Sequence, residues 1–259
     1  MTWIERARRV CLALLIGCAA SPCVRAADIT PDAARETRWA EEVVPQVVIG
    51  DAVWLATRHR ARVLALYATP AGDDAKGAVI VVHGLGVHPD WNLIGELRSA
   101  LVDRGFATLS VQMPVLAADA PREQYAALAP LAGERLDAAL AWLRARGHSR
   151  IAVASHSMGA GMVNAWLAAP GRPRIDAWVP IGMLVHFARA PRVPVLDVVA
   201  ERDFPEVLEL APRRSGELPR DRCSKTVSIA DADHYMTGRT TPLADAIVTF
   251  LDTVFARRC

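Results

Sequence analysis

Four short segments of the chain carry side chains that could act together in nucleophilic catalysis. Ser157 lies in "SHSMG", between an apolar run and a segment with helical spacing. "ERD" ends at Asp203, "DADH" ends at His234, and "HGLG" spans residues 83–86. A serine hydroxyl is a weak nucleophile until a neighbouring base, itself oriented by a third group, removes its proton. Ser157, His234 and Asp203 are the candidates for these three roles.

The apolar pattern predicts the elements that must position these side chains. Continuous apolar runs are typical of strands buried on both faces, and they lie at residues 78–84, 106–114, 150–155, 175–183, 194–200 and 226–230. Segments with helical spacing separate several of these runs, so we expect an α/β fold with a doubly wound, mostly parallel sheet. Ligands of such sheets bind at the carboxyl ends of the strands. The four segments follow the third, fifth, seventh and eighth predicted strands.

The N-terminal part of the chain has a different pattern. Residues 46–58 and 62–70 are rich in strand-forming side chains and are separated by the polar "HRA", which predicts an antiparallel pair. Residues 28–46 predict a short helix with Thr30 as its N-cap and Pro31 at its first position.

A terminal helix is predicted at residues 242–256. We see no internal repeat, low-complexity tract or linker between the predicted elements. The expected organisation is therefore a lead-in segment at residues 27–46 and one domain at residues 47–259.

The order serine, acid, histidine after strands five, seven and eight resembles the α/β-hydrolase family. The resemblance covers about residues 47–256 and rests on the HG turn, the small-x-Ser-x-small elbow, "PVLDVVAERD" and the late histidine. It implies a serine hydrolase in which Ser157 attacks an acyl group, His234 acts as the base and Asp203 orients the histidine. It also implies an oxyanion hole formed by the N–H groups of Leu85 and Met158.

The elbow departs from the family's pattern at one position. Ser155 stands where glycine is more usual, whereas Gly159 keeps the small residue that the turn requires. Serine is nearly as small, so the departure is mild. The resemblance is nearest to a bacterial branch of exported α/β-hydrolase-like proteins that have no assigned substrate.

Other interpretations of these residues stay open. A lone S-x-S-x-G is common by chance, and Asp231 or Asp233 could be the acid instead of Asp203. His83 is expected to form structural hydrogen bonds beneath the oxyanion loop. A protein of this fold could also be catalytically idle and bind an envelope lipid or a protein partner, because fold does not fix function.

The expected substrate is a small-molecule or lipid-like acyl compound that reaches an open site. Only residues 184–193 separate the sixth and seventh predicted strands, too few for a cap domain. The longer segment at residues 115–130 is expected to form one wall, with Met113 and Tyr125 as candidate apolar contacts. H-E-x-x-H spacing and a P-loop do not occur in the sequence, so we expect no metal and no other cofactor.

The charge of the chain argues against nucleic acid as a partner. Of 30 basic and 28 acidic residues, four arginines and one glutamate lie in the first 26 positions, which leaves 26 basic and 27 acidic residues in the remainder. No basic block with interleaved aromatic residues occurs.

The first 26 residues show the three-part pattern of a secretory signal. "RARR" is followed by the apolar "VCLALLIGCAA" and by "SPCVRA", which ends in small residues. The apolar run is too short to cross a bilayer, so no transmembrane span is expected in the mature chain. Cleavage after Ala26 would make the protein periplasmic or secreted. In the alternative interpretation "LIGC" is a lipoprotein box, and a lipid on Cys18 anchors the chain to a membrane.

The cysteines connect export with the fold. Cleavage after Ala26 leaves Cys223 and Cys259 as a pair in an oxidising compartment. Cys223 precedes the eighth predicted strand, at the end of the sheet away from the candidate site, and the terminal helix should run back to that end. We therefore expect a disulfide between them, the alternative being two free thiols.

Overall fold

A computed structural model of the chain describes residues 29–72, 74–171 and 174–259. The predicted signal segment, with Cys18 and the cleavage site after Ala26, lies outside the described residues. Among the helices in the described ranges, none has the length and apolar character needed to cross a membrane.

Eight strands form one sheet in the order β1-β2-β4-β3-β5-β6-β7-β8. The pairs β1–β2 and β2–β4 are antiparallel, and all other neighbours are parallel. This arrangement confirms the doubly wound sheet with an antiparallel N-terminal pair. The strands are β1 (Asp51–Leu55), β2 (Val63–Ala68), β3 (Ala78–Val82), β4 (Ala107–Val111), β5 (Ile151–His156), β6 (Ala177–Ile181), β7 (Leu196–Arg202) and β8 (Lys225–Asp233).

Six α-helices connect and cover the strands within the described ranges, and two short 3-10 helices occur at Val44–Gln46 and Arg122–Leu128. The α-helices are α1 (Ala33–Val43), α2 (Leu93–Asp103), α3 (Ala129–Ala145), α4 (Met158–Ala168), α5 (Pro205–Gly216) and α6 (Thr240–Phe255). Residues 182–194 join β6 to β7 without a helix or strand, so no cap domain is inserted there.

The core has one layer on each face of the sheet. Along β3, Ile80 and Val82 belong to the cluster that contains the apolar faces of α3 and α4. Val79 and Val81 belong to the cluster that contains α2 and α6. Because successive side chains of a strand point to opposite faces, burial on both faces explains the continuous apolar run.

The lead-in segment packs against the rest of the chain through α1. Asp32, and not Thr30 as expected, is the N-cap: its Oδ1 accepts a 2.8 Å hydrogen bond from the Arg35 N–H, and Pro31 precedes the helix. Buried apolar residues of α1 pack against β2, namely Ala40 and Val43 against Leu64 and Leu66.

Helix α5 has no counterpart among the sequence predictions. Its buried residues, Val207, Ala211 and Arg214, have helical spacing, but only one of them is a large apolar residue. Arg214 is fully buried and its Nε donates a 3.0 Å hydrogen bond to Asp197 Oδ2. An ion pair at a core-facing position interrupts the apolar periodicity that predicts helices.

The structure contains the disulfide expected from the topology. Cys223 lies just before β8 and Cys259 just after α6, and the bond joins them with a Cα–Cα distance of 5.3 Å. Both lie at the end of the sheet opposite the carboxyl ends of the parallel strands.

Candidate active site

Ser157 lies on a sharp turn between β5 and α4. It is the N-cap of α4 and has a φ of 54°, a left-handed conformation that non-glycine residues rarely adopt. Its N–H donates a 2.8 Å hydrogen bond to the Ile181 carbonyl at the end of β6. This contact fixes the turn, and strain of this kind is commonly found at functional sites.

The small residues around Ser157 are required by close packing. A Cβ on Gly159 would lie 2.2 Å from the His83 carbonyl oxygen and 2.8 Å from Val82 Cγ1, so only glycine fits there. At the other flank, Ser155 Oγ accepts a 2.9 Å hydrogen bond from the Trp178 indole N–H. The buried serine hydroxyl is therefore satisfied, which explains how the departure from glycine is accommodated.

The structure brings Ser157, His234 and Asp203 together. His234 Nε2 lies 2.9 Å from Ser157 Oγ, and His234 Nδ1 lies 2.5 Å from Asp203 Oδ1. All three side chains are buried. In this arrangement Nδ1–H donates to the carboxylate, which leaves Nε2 free to accept the serine proton.

Backbone groups hold the Asp203 carboxylate in place. Oδ1 also accepts a 2.8 Å bond from the Phe204 N–H, and Oδ2 accepts a 3.1 Å bond from the Ala200 N–H. The two alternative acids lie elsewhere: Asp231 Oδ2 accepts from Arg239, and Asp233 Oδ1 accepts from the N–H groups of Tyr235 and Thr237. The hydrogen bond from the Thr237 N–H lowers the pKa of Asp233 below its ordinary value.

Three residues that the sequence patterns did not indicate contact His234 or leave room for its ring. Phe204 stacks on the ring at a centroid distance of 4.0 Å and an interplanar angle of 18°. Gly182 has a φ of 57°, and a Cβ there would lie 3.0 Å from His234 Nδ1. His156 donates a 2.9 Å bond from Nε2 to the His234 carbonyl. The position of Gly182 at the carboxyl end of β6 is a signal that could have drawn attention to it.

The HGLG segment lies beside Ser157 as the resemblance implied. His83 is buried, and its Nε2 accepts from the Met113 N–H at 2.8 Å while Nδ1 donates to the Gly84 carbonyl at 2.9 Å. Burial lowers the pKa of His83 to about 3, so the ring is neutral and has a structural role. Neither the Leu85 N–H nor the Met158 N–H has a hydrogen-bond acceptor among the described residues.

Two cavities meet at Ser157, Met158, Leu184 and Arg122. The smaller, of about 170 Å³, contains the His234 and HGLG side of the site. The larger, of about 350 Å³, is mainly apolar and is lined by Tyr125, Ala126, Met162, Ala165 and Val185, among others. The segment at residues 115–130 therefore forms a wall, as expected, through Tyr125. Met113, the other expected contact, is a core residue and does not line either cavity.

A separate cavity of about 400 Å³ lies between α1 and the strands β1 and β2. Its lining includes Trp54, Arg62 and Glu36, and it contains none of Ser157, His234 and Asp203. We place the active site at the two cavities of about 170 and 350 Å³, because Ser157 lines both of them and His234 lines the first.

The comparisons with solved structures agree with the observed fold. Est1E from Butyrivibrio proteoclasticus is 17% identical with a TM-score of 0.63, covering 79% of this chain and 99% of Est1E. A dienelactone hydrolase from Anabaena variabilis is 23% identical with a TM-score of 0.62, covering 78% of this chain and 95% of its own. The chain has the α/β-hydrolase fold.

Another protein with the α/β-hydrolase fold is similar in its lack of a cap. It is described as a serine hydrolase without a lid, from Xanthomonas campestris, and is 16% identical with a TM-score of 0.59 over 80% of this chain and 95% of its own. In sequence, residues 9–134 match a family described as a protein of unknown function (DUF3530). That match ends before the Ser157 elbow of the α/β-hydrolase fold and says nothing about branch or export. No curated protein matches the chain in sequence.

Proposed function

We propose that the protein is a serine hydrolase that cleaves an ester or other acyl bond through Ser157, His234 and Asp203. The observation that carries the proposal is the continuous hydrogen-bonded path from Ser157 Oγ through the His234 imidazole to the Asp203 carboxylate. A carboxylate and a neutral imidazole in this order supply the base that a serine nucleophile needs. The structural neighbours named as esterases and hydrolases support the same reaction class.

In the first half of the reaction Ser157 Oγ attacks the acyl carbon while its proton moves to His234 Nε2. The carbonyl π electrons move onto oxygen, and the resulting oxyanion accepts hydrogen bonds from the N–H groups of Leu85 and Met158. Collapse of the tetrahedral intermediate breaks the bond to the leaving group, which takes the proton from His234. The product is an acyl-enzyme at Ser157.

In the second half a water molecule attacks the acyl carbon and gives its proton to the same nitrogen. Collapse of the second intermediate returns the proton to Ser157 and releases the carboxylic acid. Asp203 stays ionised throughout and stabilises the imidazolium that forms twice. Met158 is the first residue of α4, so the partial positive charge at the helix N-terminus also favours the oxyanion.

The cavities favour a small-molecule or lipid-like acyl substrate. The larger cavity has the apolar lining that an acyl group requires, and it reaches Ser157 directly. The site has no inserted cap after β6, so a substrate can approach it from solvent. These features support an esterase or acyl hydrolase and favour no particular acyl length.

We further propose that the protein is exported to the periplasm or secreted. Support comes from the Cys223–Cys259 disulfide, since such bonds persist in oxidising compartments, and from the signal pattern of residues 1–26. Identifying the N-terminal residue of protein purified from the envelope by mass spectrometry distinguishes the two forms of export. A mature chain beginning at Ala27 supports cleavage after Ala26, and an acylated Cys18 supports the lipoprotein alternative.

Labelling with a fluorophosphonate probe tests the proposed nucleophile. The probe forms a covalent bond with an activated serine, so we expect the parent protein to be labelled and Ser157→Ala to be unlabelled. Ser99→Ala, which removes a hydroxyl on the unrelated helix α2, is the matched control and should be labelled like the parent. Turnover of p-nitrophenyl esters by Ser157→Ala or His234→Ala should fall by about 10³-fold or more.

The thermal midpoint separates loss of chemistry from loss of structure, and it should change little in both variants. A parent that stays unlabelled while a control hydrolase reacts would favour the catalytically idle alternative. More than about a tenth of parental kcat in Ser157→Ala would contradict the assignment of the nucleophile.

A further inference from the structure

The loop that carries the proposed oxyanion donor is held by side chains from three different parts of the chain. The Gly84 carbonyl accepts from His83 Nδ1 at 2.9 Å, and the Val87 carbonyl accepts from Gln112 Nε2 at 3.3 Å. The Gly86 carbonyl accepts from Arg35 Nη2 at 2.9 Å. The side chain of Leu85 is 40% exposed, so apolar packing contributes little to holding the loop.

Arg35 is the contact that comes from outside the sheet. It lies on α1, 51 residues before Gly86, and its second nitrogen, Nη1, donates a 2.9 Å bond to the Leu116 carbonyl. One guanidinium therefore ties the oxyanion loop to the segment that follows β4. The guanidinium is itself restrained, since its Cζ lies 4.5 Å from the centroid of the Trp39 ring.

The position of Gly86 makes this contact relevant to the chemistry. Gly86 has a φ of 64° and directly follows Leu85, whose N–H has no acceptor among the described residues. An oxyanion hole works when its donors are already aimed at the position where charge develops. The Leu85 N–H belongs to the Gly84–Leu85 peptide unit, whose carbonyl is held by His83, and the Arg35 bond fixes the loop on the other side of Leu85. A displacement of Gly86 would shift Leu85 and move its N–H from that position.

We propose that Arg35 is a positioning residue for the oxyanion hole: it holds the Gly86 carbonyl and thereby keeps the Leu85 N–H directed at the substrate. This inference rests on the proposed function. It gives the lead-in helix α1 a part in catalysis, although α1 contributes no group that touches the substrate. The planar fork of arginine can reach the Gly86 and Leu116 carbonyls together, which the single ammonium of lysine does less well.

The test compares Arg35→Ala and Arg35→Lys with Arg38→Ala, using p-nitrophenyl butyrate as substrate. Arg38 is an exposed residue of the same helix whose side chain has no hydrogen bond or ion pair to other described residues, so it is a matched control. We expect kcat of Arg35→Ala to fall by about 10- to 100-fold with KM changed by less than about 3-fold, because a displacement of about 1 Å can cost 10² in rate. Arg35→Lys should lie between the parent and Arg35→Ala, and Arg38→Ala should match the parent.

Rescue separates positioning from a general structural role. Millimolar guanidinium should restore part of the kcat of Arg35→Ala, because the cation can occupy the space of the lost side chain and donate to the same carbonyls. Parental kcat in Arg35→Ala would overturn the positioning role and leave the proposed function intact. An equal loss in Arg35→Lys, with a lower thermal midpoint and no rescue, would also overturn it. A parent that neither hydrolyses the ester nor reacts with a fluorophosphonate would overturn both proposals.

Discussion

At the scale of single residues, the structure distinguishes three aspartates that lie close to His234 in sequence or in space. Asp203 is buried, accepts the His234 Nδ1–H and has both oxygens held by backbone N–H groups. Asp231 and Asp233 end β8, and their side chains bond to Arg239 and to the following turn. Of the three aspartates, only Asp203 lies where its carboxylate can orient the His234 imidazole.

We therefore expect Asp203→Asn to lower kcat by about 10³- to 10⁴-fold, since an amide can donate to Nδ1 and stabilise the wrong tautomer. Asp231→Asn is the matched control and should keep kcat within about 3-fold of the parent, because its partner is a surface arginine. Steady-state kinetics with p-nitrophenyl butyrate measure both. If Asp231→Asn or Asp233→Asn, and not Asp203→Asn, lowered kcat by this amount, the assignment of Asp203 would be wrong.

The site residues that could be predicted from the sequence are those whose residue type and position after an apolar run already suggest a catalytic role. Ser157, Asp203 and His234 each follow an apolar run, so the strand pattern alone places them at one edge of the sheet. Phe204 stacks on His234, and Arg35 hydrogen-bonds to Gly86, only because the fold brings these distant segments together. A phenylalanine at position 204 or an arginine at position 35 does not by itself predict either contact.

At the scale of elements, the parallel strands were predictable because both of their faces are buried. Helix α5 could not be predicted in this way, because one of its core-facing residues is charged. Arg214 occupies a core-facing position of α5 and pairs with Asp197 of β7, so the helix presents a charge where the pattern requires an apolar residue. Arg214 Nη1 also donates to the Met183 carbonyl at 2.8 Å, which ties α5 to the residue after Gly182.

The disulfide links β8 to the end of α6, and we expect it to stabilise the fold without affecting the chemistry. The two cysteines are 36 residues apart, and closing a loop of that length stabilises the folded state by about 3 to 4 kcal/mol in the chain-entropy model. The double variant with Cys223→Ser and Cys259→Ser should lose about that much free energy of unfolding in urea. Its kcat should match that of the parent, because the bond lies at the opposite end of the sheet from Ser157.

The reduced parent protein provides the control for this comparison. With reductant, the parent should approach the stability of the double variant, whereas the variant itself should be insensitive to reductant. A parent whose urea midpoint is the same with and without reductant would show that the bond contributes nothing in solution.

At the scale of the whole molecule, two buried imidazoles near the active site should make stability depend on pH. Burial lowers the pKa of His83 from 6.5 to about 3 and that of His156 from 6.5 to about 4. Both rings are therefore neutral in the folded protein at pH 5, whereas they are protonated in the unfolded chain. The unfolded state then binds more protons, so the free energy of unfolding must fall as the pH falls below about 6.5.

At pH 7.5 both rings are almost fully deprotonated in the folded and the unfolded state, so this contribution to the pH dependence is small. At pH 5 each histidine should cost about 2 kcal/mol of folding free energy relative to pH 7.5. Urea unfolding of the parent at the two pH values measures the sum, to which carboxylates also contribute. The variants His83→Gln and His156→Gln isolate the histidine part, because glutamine keeps a hydrogen-bond donor and does not titrate.

Each of these variants should be less stable than the parent at pH 7.5 because its buried hydrogen bonds are altered, and this baseline is measured first. The informative quantity is the difference in unfolding free energy between pH 7.5 and pH 5, which should be smaller than the parent's by about 2 kcal/mol in each variant. The two reductions should add in the double variant if the rings titrate independently in the unfolded chain. An unchanged difference in both single variants would mean that the rings take up protons in the folded state, and hence that water reaches them behind the oxyanion loop.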